Sequence, residues 1–124
     1  MFKNLRTAVI GAGSMGQHHA RIYSQISDLI GIADINKEQG KMVAAKYGVK
    51  WYKDYRQMLA LVDGVSVAVP TSHHLQVSTD CLHSGVHILV EKPLAGNTKD
   101  SEYITELADK SDLILSVGHI ERHN

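Results

Sequence analysis

The sequence predicts a doubly wound α/β fold, in which a mostly parallel sheet carries helices on both faces. Short aliphatic and β-branched runs alternate with longer amphipathic stretches along the 124 residues. The order β-α-β-α-β occurs twice, and parallel strands need crossover connections, which are usually helical. Glycines stand where helical segments should turn into strands, at Gly48, Gly64 and Gly85. We therefore expect a ligand crevice at the carboxyl ends of the strands.

Five runs are the predicted strands, and a shorter one is a candidate for a sixth. In chain order the five are TAVIGAG, DLIGIAD, DGVSVAVP, GVHILVEKP and DLILSVGH, and the short candidate is VKWY. The segments between them have helical spacing. The predicted buried stripes are Met15, His19, Ile22 and Ile26; Met42, Ala45 and Val49, which are less regular; and Tyr103, Ile104, Leu107 and Ala108.

Composition favours one cytoplasmic domain over residues 1–124. Apolar residues make up 44% of the chain and charged residues 21%, as in globular proteins. Lysine plus arginine equals aspartate plus glutamate at 13 each, so nothing favours a nucleic-acid partner. No apolar run approaches the roughly 20 residues of a membrane span. Cys81 is the only cysteine, which excludes an intramolecular disulfide and indicates a reducing compartment.

The stretch VIGAGSMGQHHA has the pattern of a phosphate-binding turn. Gly11, Gly13 and Gly16 follow a predicted strand and lead into a helix through Ser14 and Met15. In a dinucleotide site the first glycine permits the tight turn, the second lets the backbone approach a pyrophosphate, and the third allows close helix packing. The N–H groups of the helix start then face the anion. The alternative is a purely structural glycine turn.

Asp34, at the end of the second strand, is the predicted ribose ligand. Its carboxylate can accept hydrogen bonds from both ribose hydroxyls and would repel the 2′-phosphate of NADP, so NAD is the expected cofactor and NADP the less favoured one. Lys37 would offset part of that repulsion. The competing interpretation makes Asp34 the cap of a helix that begins near Lys37. A methyltransferase of the same architecture would have a looser glycine turn.

In VEKPLA, a lysine stands at the carboxyl end of a strand and precedes a proline. A residue before proline is held in extended geometry, and X-Pro bonds adopt cis at appreciable frequency. Lys92 could therefore project from a rigid turn into the crevice and polarise or help deprotonate a sugar hydroxyl. Without further context, a surface lysine is the favoured description of Lys92.

The segments GAGSMGQHHA, ADIN, VAVPTSHHLQV, VEKPLA and VGHIERHN together resemble the Gfo/Idh/MocA family of nicotinamide-dependent oxidoreductases, in this order and over nearly the whole chain. The resemblance implies an NAD-binding Rossmann domain with Lys92 in the catalytic group. It further implies that His19 matches a family histidine in the first helix. The cofactor site would also include Pro70, Thr71, His74, Glu91, Lys92 and Pro93.

The closing GHIERHN resembles GHIERFNP in family members that act on nucleotide sugars, among them UDP-N-acetylglucosamine 3-dehydrogenases. His123 replaces the expected phenylalanine. The resemblance implies a sugar or nucleotide-sugar substrate. It also implies a substrate domain that carries the partners of Lys92 and is absent from these residues, so we expect the chain to be a fragment. Family members commonly assemble through that domain, so a homo-oligomer is an open possibility.

Two further questions concern metals and rival functions. Adjacent histidines on a helix point about 100° apart and do not chelate. The best candidate for a metal set is His119, Glu121 and His123, and we expect no metal site.

The rival functions are a non-catalytic dinucleotide-binding or redox-sensing module, which has no evident use for Lys92, and an interaction domain with a vestigial site.

Overall fold

Six parallel strands in the order β3-β2-β1-β4-β5-β6 form the sheet of the computed structural model, which describes residues 4–118. The strands are β1 Arg6–Ile10, β2 Asp28–Ala33, β3 Lys50–Tyr52, β4 Gly64–Val67, β5 His87–Glu91 and β6 Leu115–Gly118. The helices are α1 Ser14–Ile26, α2 Lys37–Tyr47, α3 His74–His83 and α4 Thr98–Lys110. The doubly wound prediction is confirmed, and VKWY contributes β3.

The order of the strands fixes where a ligand can bind. The chain runs outward from β1 through β2 to β3, then returns to the other side of β1 to form β4, β5 and β6. All five neighbouring pairs are parallel, so their carboxyl ends share one edge. The crevice of such a sheet lies at this edge where the strand order reverses, between β1 and β4.

Each face of the sheet has its own apolar core, because successive strand side chains point to opposite faces. Val9 of β1 packs with Ala20 of α1 and Val43 of α2. The next residue of β1, Ile10, points to the opposite face and packs in the second apolar cluster, which includes Leu82 of α3 and Ile104 of α4. Helices α1 and α2 therefore cover one face, and α3 and α4 cover the other.

The predicted helix face was correct for α4 except at Tyr103, and it was wrong for α2. In α4, Ile104 and Ala108 are buried, although Tyr103 is 49% exposed. In α2, Met42 is 57% exposed and the buried residues are Gly40, Val43 and Ala44. The face is set by Gly40, because a Cβ there would lie 2.3 Å from Nε1 of Trp51. A pattern of large apolar residues cannot reveal contact through a glycine.

In α1 the predicted stripe was correct at His19, which is buried, and wrong at Ile26, which is 44% exposed at the end of the helix. The turn glycines Gly48 and Gly85 have left-handed backbones, with φ of 67° and 78°. Gly64 differs from the prediction, because it is the first residue of β4 and follows short 3₁₀ turns rather than a long helix.

Cys81 lies in the core of α3, where burial and the nearby Asp80 raise the pKa of the thiol to about 12. The thiol is therefore protonated at neutral pH and is no nucleophile. Across residues 4–118, none of the helices combines the length and apolar character that a membrane crossing needs.

The packing of α1 predicts a sharp difference between two glycines of the first turn. A Cβ at Gly16 would lie 1.8 Å from the carbonyl oxygen of Gly11, whereas a Cβ at Gly13 would meet nothing within 4 Å. We expect Gly16→Ala to lower the free energy of unfolding by about 2–3 kcal/mol, and Gly13→Ala to change it by less than about 1 kcal/mol. Urea denaturation measures both. Equal losses would mean that α1 can shift away from the turn.

Candidate functional site

The glycine turn joins β1 to α1 and packs tightly on both sides. Gly11 has φ of +106°, and a Cβ there would lie 2.4 Å from the carbonyl oxygen of Ala68, after β4. Gly16 packs on the same turn so closely that a Cβ there would overlap the carbonyl oxygen of Gly11. Gly13, by contrast, borders open space. The turn therefore leaves its backbone accessible only at the second glycine.

The start of α1 lacks the side-chain cap that α2 and α4 have. Asn36 accepts a hydrogen bond from the backbone of α2, and Asn97 does so for α4. Gly13 occupies the cap position of α1, where no side chain within residues 4–118 caps the helix and the first turn carries no acidic residue. The N–H groups of a first helical turn have no intrahelical acceptor, and the helix dipole is positive there. This end of α1 is suited to an anion.

Asp34 lies beside the turn, at the carboxyl end of β2, and its two oxygens hold the backbone on either side. Oδ2 accepts from the amide of Ala12 at 2.7 Å, and Oδ1 accepts from the amide of Asn36 at 2.8 Å. The interpretation of Asp34 as the cap of α2 is wrong, because the side chain of Asn36 accepts from the amide of Gln39. Each carboxylate oxygen has a second lone pair for a ligand.

Trp51 of β3 fixes the backbone of Asp34 from the opposite side. Its indole Nε1 donates to the carbonyl oxygen of Asp34 at 3.0 Å. The ring occupies the space beside Gly40 in α2. Both the backbone and the carboxylate of Asp34 are thus positioned by neighbouring elements.

A cavity of about 500 Å³ opens at this edge of the sheet, where the strand order reverses. It brings together four predicted site residues: Gly11, Gly13, Asp34 and Pro70. It adds side chains that sequence analysis did not assign to the site. Some lie on the loops after β2 and β3, where no motif marks them, and two lie inside VAVPTSHHLQV, where only Pro70, Thr71 and His74 were assigned. The added side chains are Ile35, Lys53, Tyr55, His73 and Gln76. The sequence offered one signal, the apolar Ile35 directly after Asp34. In the structure its side chain is 83% exposed.

Tyr55 and Gln76 form one wall of the cavity through a shared partner, Asp80 of α3. The phenol of Tyr55 donates to Oδ2 of Asp80, and Nε2 of Gln76 donates to Oδ1 at 3.0 Å. Burial and the Asp80 carboxylate raise the pKa of Tyr55 above its usual range, so the phenol keeps its proton. The wall therefore presents an aromatic ring in a fixed position.

The remaining predicted site residues are not part of this cavity wall. Within the described chain they are Ser14, Met15, Gly16, Thr71, His74, Glu91, Lys92 and Pro93. Ser14 and Met15 form the first turn of α1, above Gly13. Gly16 lies further along α1. Thr71 and His74 follow β4, whereas Glu91 ends β5 and Lys92 and Pro93 follow it, all on the far side of the point where the strand order reverses.

His74, at the start of α3, is buried rather than facing the crevice. Its Nε2 lies 2.9 Å from the carbonyl oxygen of Val69, and its Nδ1 lies 3.0 Å from that of Leu94 and 3.1 Å from that of Pro93. The imidazole therefore ties the loop after β4 to the loop after β5. Its predicted contact with a cofactor stays a prediction.

Lys92 is exposed at the carboxyl end of β5, and the Lys92–Pro93 peptide bond is cis. Its backbone amide donates to the carbonyl oxygen of Gly118 at 3.2 Å, so the turn is anchored to β6. The lysine is thus presented at the same sheet edge as the cavity, with an accessible side chain.

A buried polar network links α1 to the strands that carry this edge. The hydroxyl of Tyr23 lies 2.6 Å from Oγ of Ser66, which lies 2.8 Å from Nδ1 of His19. Nε2 of His19 faces a carboxylate oxygen of Glu91 at 3.5 Å. Burial, with a smaller effect of His18, lowers the pKa of His19 to about 4. The ring is therefore neutral at pH 7.

The candidate metal set His119, Glu121 and His123 lies outside the described residues. Among residues 4–118, the side chains of histidine, cysteine, aspartate and glutamate form no group of three or more that could hold a metal ion.

Comparison with known proteins identifies a family and several relatives. Residues 5–119 match the family described as "Oxidoreductase family, NAD-binding Rossmann fold". The chain is 39% identical to UDP-N-acetylglucosamine 3-dehydrogenase of Acidithiobacillus ferrooxidans over 96% of its own length and 38% of that enzyme. It is 33% identical to myo-inositol 2-dehydrogenase of Thermotoga maritima, over 95% of this chain and 37% of that enzyme.

Solved structures agree with these sequence matches. The structure of the Acidithiobacillus ferrooxidans enzyme superposes with a TM-score of 0.92, over 96% of this chain and 40% of that one. GenD2 from gentamicin A biosynthesis, solved in complex with NAD, superposes with a TM-score of 0.91 at 29% identity, over 95% of this chain and 35% of that one. The chain thus spans about 40% of the length of its relatives.

The buried imidazole predicts a specific pH dependence of stability. The pKa of His19 is about 4 in the folded chain and about 6.5 when unfolded. The unfolded chain therefore binds more protons between these values, so this contribution is fully present above about pH 6.5 and is lost as the pH falls toward 4. Between about pH 7 and pH 4.5, we expect wild type to lose about 2 kcal/mol more unfolding free energy than His19→Gln. Urea denaturation at each pH gives the unfolding free energy. If this free energy falls equally with pH in wild type and in His19→Gln, the buried neutral imidazole is contradicted.

Proposed function

The chain belongs to the oxidoreductase family whose NAD-binding Rossmann domain its residues 5–119 match, and we propose that it binds NAD(H) for hydride transfer at a hydroxyl of a sugar or nucleotide sugar. One observation carries the proposal: an uncapped helix start and an accessible glycine backbone lie beside a positioned carboxylate at the edge where the strand order reverses. Residues 1–124 would then form one dinucleotide-binding domain.

The proposed binding mode follows from the shape of the cavity. The pyrophosphate would lie against Gly13 and the first turn of α1, where open space meets unpaired helical N–H groups. The adenosine ribose would donate its hydroxyls to the remaining lone pairs of Asp34. Ile35 and Tyr55, which line the same cavity, offer apolar and aromatic surface for the adenine ring.

The proposed preference for NAD over NADP rests on charge. The Asp34 carboxylate borders the cavity and would lie close to a 2′-phosphate, which it would repel. Lys53 lines the cavity, and Lys37 begins α2 nearby, so both would offset part of that repulsion. We therefore expect the chain to bind NAD more tightly than NADP without excluding NADP.

Lys92 is the residue that we propose for the chemical step. Hydride transfer from a carbinol carbon requires that the hydroxyl proton leave as the carbonyl forms. An ammonium or amine at the end of β5 can polarise that oxygen and help to move the proton, with further proton acceptors supplied by the family's substrate domain. The non-catalytic alternative finds no support, since it leaves this lysine without a role.

The shared length limits what the chain can do alone. It spans about 40% of relatives that act on UDP-N-acetylglucosamine and inositol, and rate depends on holding the carbinol carbon against the nicotinamide. We therefore infer cofactor binding with little or no sugar oxidation by the 124-residue chain. A cytoplasmic location and assembly as a homo-oligomer remain inferences from the sequence.

Calorimetric titration with NADH and, separately, NADPH tests cofactor binding. We expect wild type to bind NADH more tightly than NADPH, and Asp34→Ala to raise the Kd for NADH about tenfold or more, because charged hydrogen bonds are lost. Asp34→Asn keeps one acceptor oxygen and removes the charge. This variant should therefore narrow the difference between the Kd values for NADH and NADPH. Failure of the folded wild-type chain to bind either cofactor would refute the proposal.

Gly13→Ala separates binding from stability. Its methyl group would project into the open space proposed for the pyrophosphate, so we expect a roughly tenfold weaker Kd for NADH. Circular dichroism and urea denaturation should show an intact fold. Unchanged affinity in this variant would place the anion elsewhere.

A further inference from the structure

The peptide groups of Ala12, between the first two turn glycines, are held from three directions. Its carbonyl oxygen accepts from Nε2 of Gln39 in α2 at 2.9 Å and from Nε2 of Gln17 in α1 at 3.0 Å. Its amide donates to Asp34 at the end of β2. Ala12 itself is completely buried. One residue of the turn is thus connected by side chains to both helices on this face of the sheet.

The reach of Gln39 toward the turn depends on the cap of α2. Asn36 caps the amide of Gln39, and a glutamine at this position commonly returns the bond to the backbone amide of the cap residue. Here the amide of Asn36 already donates to Asp34. The Gln39 amide group is therefore available to cross to Ala12.

These contacts matter because Gly11 and Gly13, on either side of Ala12, have wide conformational freedom. A turn that must be ordered when an anion binds weakens the affinity by the cost of ordering it. We propose that Gln17 and Gln39 are positioning residues that clamp Ala12 and so preorganise the turn for the dinucleotide. The proposed effect on affinity rests on the NAD-binding function proposed above.

Titrations with NADH should compare Gln17→Ala, Gln39→Ala and the double variant with wild type. Each single substitution removes one hydrogen bond, and we expect the Kd to rise roughly threefold to tenfold, and further in the double variant. Gln25→Ala is the matched control, because Gln25 is an exposed glutamine of the same helix as Gln17. Its Kd should stay within about twofold of wild type.

Gln39→Glu distinguishes a hydrogen-bond donor from mere packing. An ionised carboxylate of the same size repels the Ala12 carbonyl, whereas the protonated acid can donate to it. The ratio of the variant Kd to the wild-type Kd for NAD⁺ should therefore fall toward one as the pH is lowered toward about 4. A ratio that does not change with pH would contradict the clamp.

Amide hydrogen exchange without ligand keeps this inference separate from the proposed function. We expect the Ala12 and Gly13 amides to exchange faster in the double variant than in wild type or Gln25→Ala. If wild type fails to bind NADH but this difference is seen, the NAD-binding function fails and the clamp stands. If the double variant matches wild type in exchange and affinity, the clamp is refuted.

Discussion

The contact between Gly16 and the carbonyl of Gly11 is the constraint on which the site depends. With no Cβ at Gly16, α1 lies directly on the turn that leaves β1. This proximity places the uncapped, positive end of the helix at the carboxyl edge of the sheet. A helix displaced by the width of a methyl group would direct its N–H groups away from the cavity that Asp34 borders.

Much of the fold was predictable because its signals are local. Strand runs, glycine turns and the β-α alternation predicted the sheet, and the spacing of Gly11, Gly13 and Gly16 predicted where the first helix begins. The buried face of α2 was missed because it depends on a small residue, Gly40, that makes room for Trp51. Such a contact has no signature in hydrophobic periodicity.

The site was predictable where a motif marks it and unpredictable where loops meet in space. Asp34 follows directly from the turn motif and its distance along the chain. Tyr55 and Gln76 come from different elements, and both bond Asp80 where they line one wall. His74 was predicted from a motif, but the structure encloses its ring among backbone carbonyl groups, where it holds two loops together.

The position of Trp51 has an optical consequence. It is the only tryptophan of the chain, and its indole nitrogen bonds the backbone of Asp34. Tryptophan fluorescence therefore originates at a single place, beside the residue whose carboxylate is proposed to hold the ribose. Indole emission overlaps the absorption of a reduced nicotinamide, so the chain carries its own energy-transfer donor for that ligand, with no label attached.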